Sequence, residues 1–337
     1  MTTVYPVGKL PQETLERLLR RAPLLDQRVL LGPGIGLDCA VVEYPDRYLV
    51  FKSDPITFAT DQIGWYAVQV NVNDIATTGA TPRWMLTTLL LPEGKATQAL
   101  VETIYDQVYN ACRALGISVI GGHTEITYGI ERPIVAATMI GEVDKDKLVK
   151  PNAARPGDHL LLTKGIPIEA TAILAREFSA KLADILDAEA LHRAQNFLYE
   201  PGISVLRDAQ IAMQAGQVNA MHDPTEGGLA AALWELAEAS HVSIRIVPAS
   251  VPVFELSKRI CQTFDLDPLG AIASGALLLS APPNHAPRIR KALEEHGIAC
   301  SVIGRIGEAP VVVQQIMPDG EAILRRPARD EIARLFD

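Results

Sequence analysis

The stretch "VQVNVNDIATTGATPRWM", Val68 to Met85, limits the fold more than any other part of the chain. At 100° per residue, Val68, Val72, Ile75 and Ala76 fall on one apolar stripe of a helix. Asn71, Asp74 and Thr78 fall on a second, adjoining stripe. Gly79 reads as the residue just past the helix end, and Pro82 prevents the same helix from resuming. A helix this apolar belongs in a core, and a carboxylate there is costly unless something compensates it. Asp74 therefore requires either a buried hydrogen-bond network or a metal ion.

A chain of 337 residues exceeds one typical domain, which sets two domains as the expectation. With 48% hydrophobic and 21% charged residues it reads as an ordinary soluble globular protein. A net charge of −9 and a pI near 5.4 argue against nucleic acid as a partner, since phosphate backbones need a basic footprint. A polyphosphate nucleotide remains compatible if divalent metal bridges the like charges. The first residues lack the apolar core of a secretory signal, and no apolar run reaches membrane-spanning length. The expectation is a cytoplasmic protein with no membrane role. Cys39, Cys112, Cys261 and Cys300 are scattered without a C-x-x-C pair, so they read as buried thiols rather than zinc ligands or a disulfide framework.

Residues 1–30 read as a helical, glycine-bearing preface, with Leu15, Leu18 and Leu19 at helical spacing. "CAVVEY" and "RYLVFKSD" predict a hairpin around Pro45-Asp46. The pattern then predicts the Val68 helix, strand "RWMLTTLLL", a helix over 97–115, strand "GISVIGG" and strand "RPIVAATMIGEV". This mixture defines an α/β (α+β) domain over residues 31–149. "KPNAARPGDH" marks the boundary, and a second α/β domain follows over 150–315, with a tail over 316–337 forming a hairpin and a short helix. Strand and helix alternate in both halves without a sequence repeat.

Three aspartates sit at the ends or on the polar stripe of apolar segments: Asp38 before strand Cys39–Glu43, Asp54 at the close of strand Tyr48–Ser53, and Asp74 on the helix. Taken singly, Asp38 and Asp54 read as loop caps. Taken together, they are hard oxygen donors from separate segments, as Mg²⁺ requires when it also bridges phosphates. In "GGHTEIT", Gly121 and Gly122 allow a close backbone approach, and His123 or Glu125 could ligate metal or move a proton. A satisfied structural histidine is an equal reading. In "HDPTEGG", Asp223 and Thr225 read as N-caps of a helix whose start offers an anion site, with Gly227 and Gly228 beside it. Ordinary capping with tight glycine packing is the alternative. "TKGIP" and "ASGA" are further glycine-marked turns.

"GIGLDCAVV", "FKSDPIT", "VNVNDIATTGATP", "GGHTEIT", "DPTEGGLAAAL" and "SGALLLS" occur in the order and spacing of the aminoimidazole ribonucleotide (AIR) synthase superfamily, and the chain resembles that family from about Gly8 to Pro310. Within it the resemblance leans to the HypE branch, helped by "GKLPQETLERLL". The resemblance implies a two-domain PurM-like fold, a homodimer whose N-terminal domains pair into a β-barrel with flanking helices, and a C-terminal α/β sandwich. It implies ATP and Mg²⁺ as cofactors. It assigns metal ligation to Asp38, Asp54 and Asp74, with Glu125 as a further candidate, and catalytic positions to Asp74, Asp223 and His123. Lys9, Asn71, Asn73, Gly121, Gly122, Thr225, Gly227 and Gly228 match nucleotide-contacting segments. Asn71 and Asn73 would orient phosphate or an aspartate.

Departures accompany the match. His123 stands where relatives usually carry Asp or Glu, and histidine is a poorer Mg²⁺ ligand than a carboxylate. No cysteine follows Cys300, so a C-terminal carbamoyl-carrying cysteine is not expected. "TEGGL" replaces the "SDGL" of thiamine-monophosphate kinases. The expected function is ATP- and Mg²⁺-dependent phosphorylation or dehydrative activation of a substrate oxygen, on an unidentified small molecule or protein. The alternatives are a non-catalytic ATP-binding scaffold dimer and a kinase resembling thiamine-monophosphate kinase.

Overall fold

In the computed structural model, which describes residues 5, 10–34, 36–57 and 61–336, the expected hairpin lies within a six-stranded sheet. Helix α1 (Gln12–Leu19) comes first, then β1 (Val29–Leu31), β2 (Ala40–Glu43) and β3 (Arg47–Ile56). The core helix α2 (Ile63–Thr77) is followed by β4 (Thr81–Pro92), α3 (Gln98–Leu115), β5 (Ser118–Thr127) and β6 (Ile134–Asp144). The strand order is β1-β2-β3-β6-β4-β5, with β4 and β5 parallel and every other pair antiparallel. Burial alternates along β4 and β6, so one face of the sheet is covered, and α2 packs against β3, β4, β6 and α3. Helix α2 ends as its sequence predicts, with Gly79 at a φ of 77°.

Two compact units divide the chain. One comprises Leu24–Gly32 and Asp38–Leu148, which contains this sheet; the other gathers residues up to Pro23, Pro33–Leu37 and everything from Val149.

The second unit runs β7 (His159–Thr163), α4 (Ile168–Glu177), α5 (Ser179–Leu182), α6 (Ala188–Gln195), α7 (Leu206–Ala215) and β8 (Ala220–His222). It continues with α8 (Gly228–Ser240), β9 (Ser243–Ile246), α9 (Glu255–Thr263), β10 (Leu278–Ala281), α10 (Ala286–Glu295), β11 (Cys300–Gly307), β12 (Val312–Met317) and β13 (Gly320–Ile323). Its seven-stranded sheet has the order β13-β12-β9-β11-β7-β10-β8, and only β12 and β9 are parallel. Leu160, Leu162, Leu278, Ile244 and Ile303 of this sheet share one buried cluster with Leu229, Leu233 and Leu236 of α8. All four cysteines are buried free thiols.

After Ser179 the charged run forms two helices, α5 and α6, the second starting where the Asp187 carboxylate accepts the Ala190 backbone N–H and caps it. Two local expectations change. Strand β5 runs on past Gly121 and Gly122 to Thr127 rather than ending with them. Helix α8 begins only at Gly228, because Gly227 and Gly228 hold φ angles of 83° and 62°, and its N-terminus has no side-chain cap. Asp223 and Thr225 therefore lie in the turn ahead of the helix, and Gly227 rather than either of them is its N-cap residue.

Candidate functional site

Along β3 side chains alternate, so Val50, Lys52, Asp54 and Ile56 share a face. Val50 and Ile56 are buried, which puts Lys52 on the core-facing side; its side chain is only 10% exposed. A lysine there needs carboxylate partners. It has three: Nζ lies 3.2 Å from Asp54 Oδ2, 3.2 Å from Asp74 Oδ2 and 4.0 Å from Asp38 Oδ1. The three aspartates singled out in the sequence thus converge from the approach to β2, from β3 and from α2. Burial alone would push the Lys52 ammonium to lose its proton, but the attraction of Asp74, then Asp38 and Asp54, outweighs that and raises its pKa well above the ordinary lysine value.

The surrounding backbone fixes this arrangement. Asn71, fully buried on α2, accepts the Asp54 backbone N–H through Oδ1 at 3.0 Å and donates to Ala67 O at 2.9 Å. It fastens β3 to α2 at the residue that carries one of the carboxylates. Asp74 O accepts from the Cys39 thiol and the Thr77 hydroxyl, which ties the helix to the start of the hairpin. Asn73 is equally buried on the same helix.

Carboxylate oxygens from three segments are the donors a hard divalent cation takes, and the chain's own ammonium shows that the cluster draws a cation. The donor chemistry fits Mg²⁺. The spacing fits the ammonium, because among the described residues no three His, Cys, Asp or Glu side chains stand close enough to hold a metal ion as placed.

The other sequence candidates lie elsewhere. His123 Nε2 and Glu125 Oε2 are 3.1 Å apart on β5, both largely exposed. Strands β6 and β4 intervene between β5 and β3, a separation of about 14 Å at ordinary strand spacing. Gly122 has a packing reason of its own: a Cβ there would come within 1.9 Å of Thr87 O on β4, at a φ of 153°. Lys9 falls outside the described residues.

Asp223, Thr225, Gly227 and Gly228 belong to the second unit. Asp223 is 2% exposed, immediately after β8. Thr225 accepts the Gly228 N–H through its backbone oxygen. A Cβ at Gly228 would meet Ala271 O at 2.5 Å and Leu269 O at 2.6 Å, so that glycine is required by packing. Beside this turn stand two acids that the sequence reading passed over. Asp330 accepts the Gly227 and Ile332 backbone N–H groups, and burial pushes its pKa up to about 6. Glu169, in the first turn of α4, is pushed up to about 7, chiefly by burial and further by Asp330 and Asp223, against a hydrogen bond from Ser274. Its Oε2 is buried without a hydrogen-bond partner. The signal for Glu169 was its position inside the apolar run "GIPIEATAILA".

The two remaining glycine turns are joined by one side chain. Lys164, at a φ of 55°, donates at 2.7 Å to Gly275 O of "ASGA" and to Ser204 O, and sits 3.1 Å from Asp208. Asp208 also accepts the Thr163 hydroxyl at 2.6 Å. All three Lys164 donors are thereby engaged, a structural clamp rather than a free cation.

The model of the AIR synthase related protein N-terminal domain matches residues 36–143, and that of the C-terminal domain matches 155–316. The chain belongs to the AIR synthase-related family. Among curated family members it is 30% identical to carbamoyl dehydratase HypE of Azotobacter vinelandii, over 89% of this chain and 84% of that protein. It is 31% identical to thiamine-monophosphate kinase of Bacillus subtilis, over 57% of each. Among solved structures, hydrogenase maturation protein HypE in complex with ATP superposes with a TM-score of 0.71 at 24% identity, covering 94% of this chain and 90% of that one. Both α/β units thus follow the family fold. No helix among the described residues is long and apolar enough to cross a membrane.

The acids beside the Gly227-Gly228 turn give this family member a definite pH response. Glu169 holds its proton in the folded state up to about pH 7, whereas unfolded it would release it near 4.5. The native state therefore binds more protons between these values, and stability falls as pH rises from 4.5 to about 7. Asp330 acts in the same direction between 3.8 and about 6. Glu169→Gln should flatten the upper part of this slope, stabilising the protein at pH 8 relative to wild type by up to about 3 kcal/mol. Denaturant unfolding of both proteins at pH 5 and pH 8 measures it; an unchanged slope in the variant would show that Glu169 is ionised in the folded protein.

Proposed function

We propose that this chain binds ATP together with Mg²⁺ and uses it to phosphorylate, or dehydratively activate, an oxygen of a small-molecule or protein substrate. The observation that carries this reading is the convergence of Asp38, Asp54 and Asp74 on one cation, the Lys52 ammonium. Phosphoryl transfer asks a protein mainly for positioning and charge neutralisation, and in an acidic chain of net charge −9 bound cations would offset the triphosphate's charge. Asp38, Asp54 and Asp74 would hold the divalent metal, which when bound would offset the phosphate charge. Asn71 keeps Asp54 in register with Asp74 by gripping the β3 backbone. Family resemblance supports the same nucleotide, because the structurally similar HypE is known in complex with ATP. Asp223, Thr225, Gly227 and Gly228 are the second unit's candidates for substrate or phosphate contact.

We also read β5 as the seam of a homodimer. It ends the sheet, so its outer backbone groups lack a strand partner within the sheet, and it carries exposed Ile120, Ile126 and, just beyond, Tyr128 at 86% exposure. A second copy of this strand is the occupant that fits an edge of this length and apolar character. His123 and Glu125 would then lie at the seam.

Two measurements test these readings. Thermal unfolding with ATP at about 100 times its dissociation constant should gain roughly 2.7 kcal/mol in Mg²⁺ and little in chelator. Asp74→Asn, folded by circular dichroism, should lose the Mg²⁺-dependent gain and any slow ADP release; an unchanged gain would remove the aspartate cluster from nucleotide binding. ATP binding without turnover on any substrate would leave a scaffold. In sedimentation velocity, wild type should run as a dimer and Ile126→Asp as a monomer, and an Ile126→Asp dimer would place the interface elsewhere.

A further inference from the structure

Lys52 is not an incidental salt-bridge partner. Its ammonium lies 3.2 Å from both the Asp54 and the Asp74 carboxylates, with Asp38 at 4.0 Å. It reaches that point from a core-facing strand position, with the rest of the side chain packed away from water. Three carboxylates and one ammonium leave the cluster with a formal charge of −2, so it remains attractive to a further cation. Mg²⁺, however, takes oxygen ligands at about 2.0–2.1 Å in near-octahedral geometry. Carboxylates drawn in to that distance would enclose the space now filled by Nζ. The ammonium and the metal therefore need the same oxygens and the same place. Lysine suits a role in which the charge must leave, since its flexible four-carbon stem can withdraw a compact ammonium.

We propose that Lys52 is a resident counter-ion of the Asp38–Asp54–Asp74 cluster, and that a divalent cation binds there by displacing it. This rests on the nucleotide reading for its biological purpose but not for its test, which concerns metal alone. Lys52 holds the three aspartates together in metal-free protein, where otherwise their mutual repulsion would open the junction between the hairpin and α2. It also sets the affinity for metal, because each metal ion must break two close ion pairs to enter. The metal-free chain is consequently stable, and divalent cation is taken up weakly unless nucleotide phosphates accompany it.

The test is a Mn²⁺ titration of the full chain without nucleotide, read by the electron paramagnetic resonance of free Mn²⁺, for wild type, Lys52→Met and Lys52→Gln. Both variants should bind Mn²⁺ at least about tenfold more tightly than wild type, with Mg²⁺ competing. Both should melt lower than wild type in chelator and regain that loss when Mn²⁺ is added. Equal or weaker Mn²⁺ binding in the variants, or no Mn²⁺ binding by any of the three, overturns the proposal. Should neither variant fold, the wild-type chain decides: the slowly exchanging lysine ammonium resonance of an ion-paired Nζ should vanish as Mg²⁺ saturates the protein, and its persistence at saturation overturns displacement. The MgATP thermal shift of wild type is recorded in parallel. A normal shift with no tightening in the variants rejects the resident cation and leaves nucleotide binding standing; tightening with no ATP response does the reverse.

Discussion

Everything in the first unit's site depends on one ammonium among three carboxylates. Helix α2 is apolar enough to be core on nearly every side, and its single acid stands there with a positive charge 3.2 Å away. That charge comes from β3, on the face where Lys52 and Asp54 stand between the buried Val50 and Ile56. The same contact joins hairpin, helix and the approach to β2, so the fold of this unit and its cation-attracting chemistry are one feature. Asn71 reinforces it from the helix side by holding the β3 backbone beside Asp54.

The second unit treats buried acids differently. Asp330 spends its carboxylate on backbone amides, including that of Gly227, and so fixes the turn ahead of α8. Burial, with Asp330 and Asp223 as neighbouring acids, keeps Glu169 protonated towards neutrality. Lys164 shows what full satisfaction looks like: two backbone carbonyls and one aspartate take all its donors and clamp two glycine turns together. The ion-pair partners of Lys52 among the described residues, by contrast, are all carboxylates. This difference in partners separates a structural lysine from one standing in a cation site.

Much of this was legible from residue types and spacing. The end of α2 at Gly79 and the β2–β3 hairpin follow from periodicity and turn chemistry. The grouping of Asp38, Asp54 and Asp74 comes from the family resemblance, and Asp74's expected compensation by a hydrogen-bond network or a metal is met here by a lysine. Lys52 was legible too, through the alternation Val50, Lys52, Asp54, Ile56, but a lysine in a strand reads as solvent-facing until the parity is counted. Other features depended on contacts distant in sequence. Nothing near Gly122 announces that the β4 backbone will lie against it, and nothing near Gly227 announces Asp330 more than 100 residues later. Asp223 and Thr225 look like helix caps by type, yet the left-handed Gly227 and Gly228 postpone the helix.

A crystal of the full chain grown with a nonhydrolysable ATP analogue and Mn²⁺, measured at the manganese absorption edge, tests the central claim most directly. Anomalous density should lie within about 2.2 Å of oxygens from Asp38, Asp54 and Asp74, bridging the analogue's phosphates, with the Lys52 ammonium moved out of the cluster. Manganese and phosphates bound elsewhere, with Lys52 still seated among the three aspartates, would contradict it.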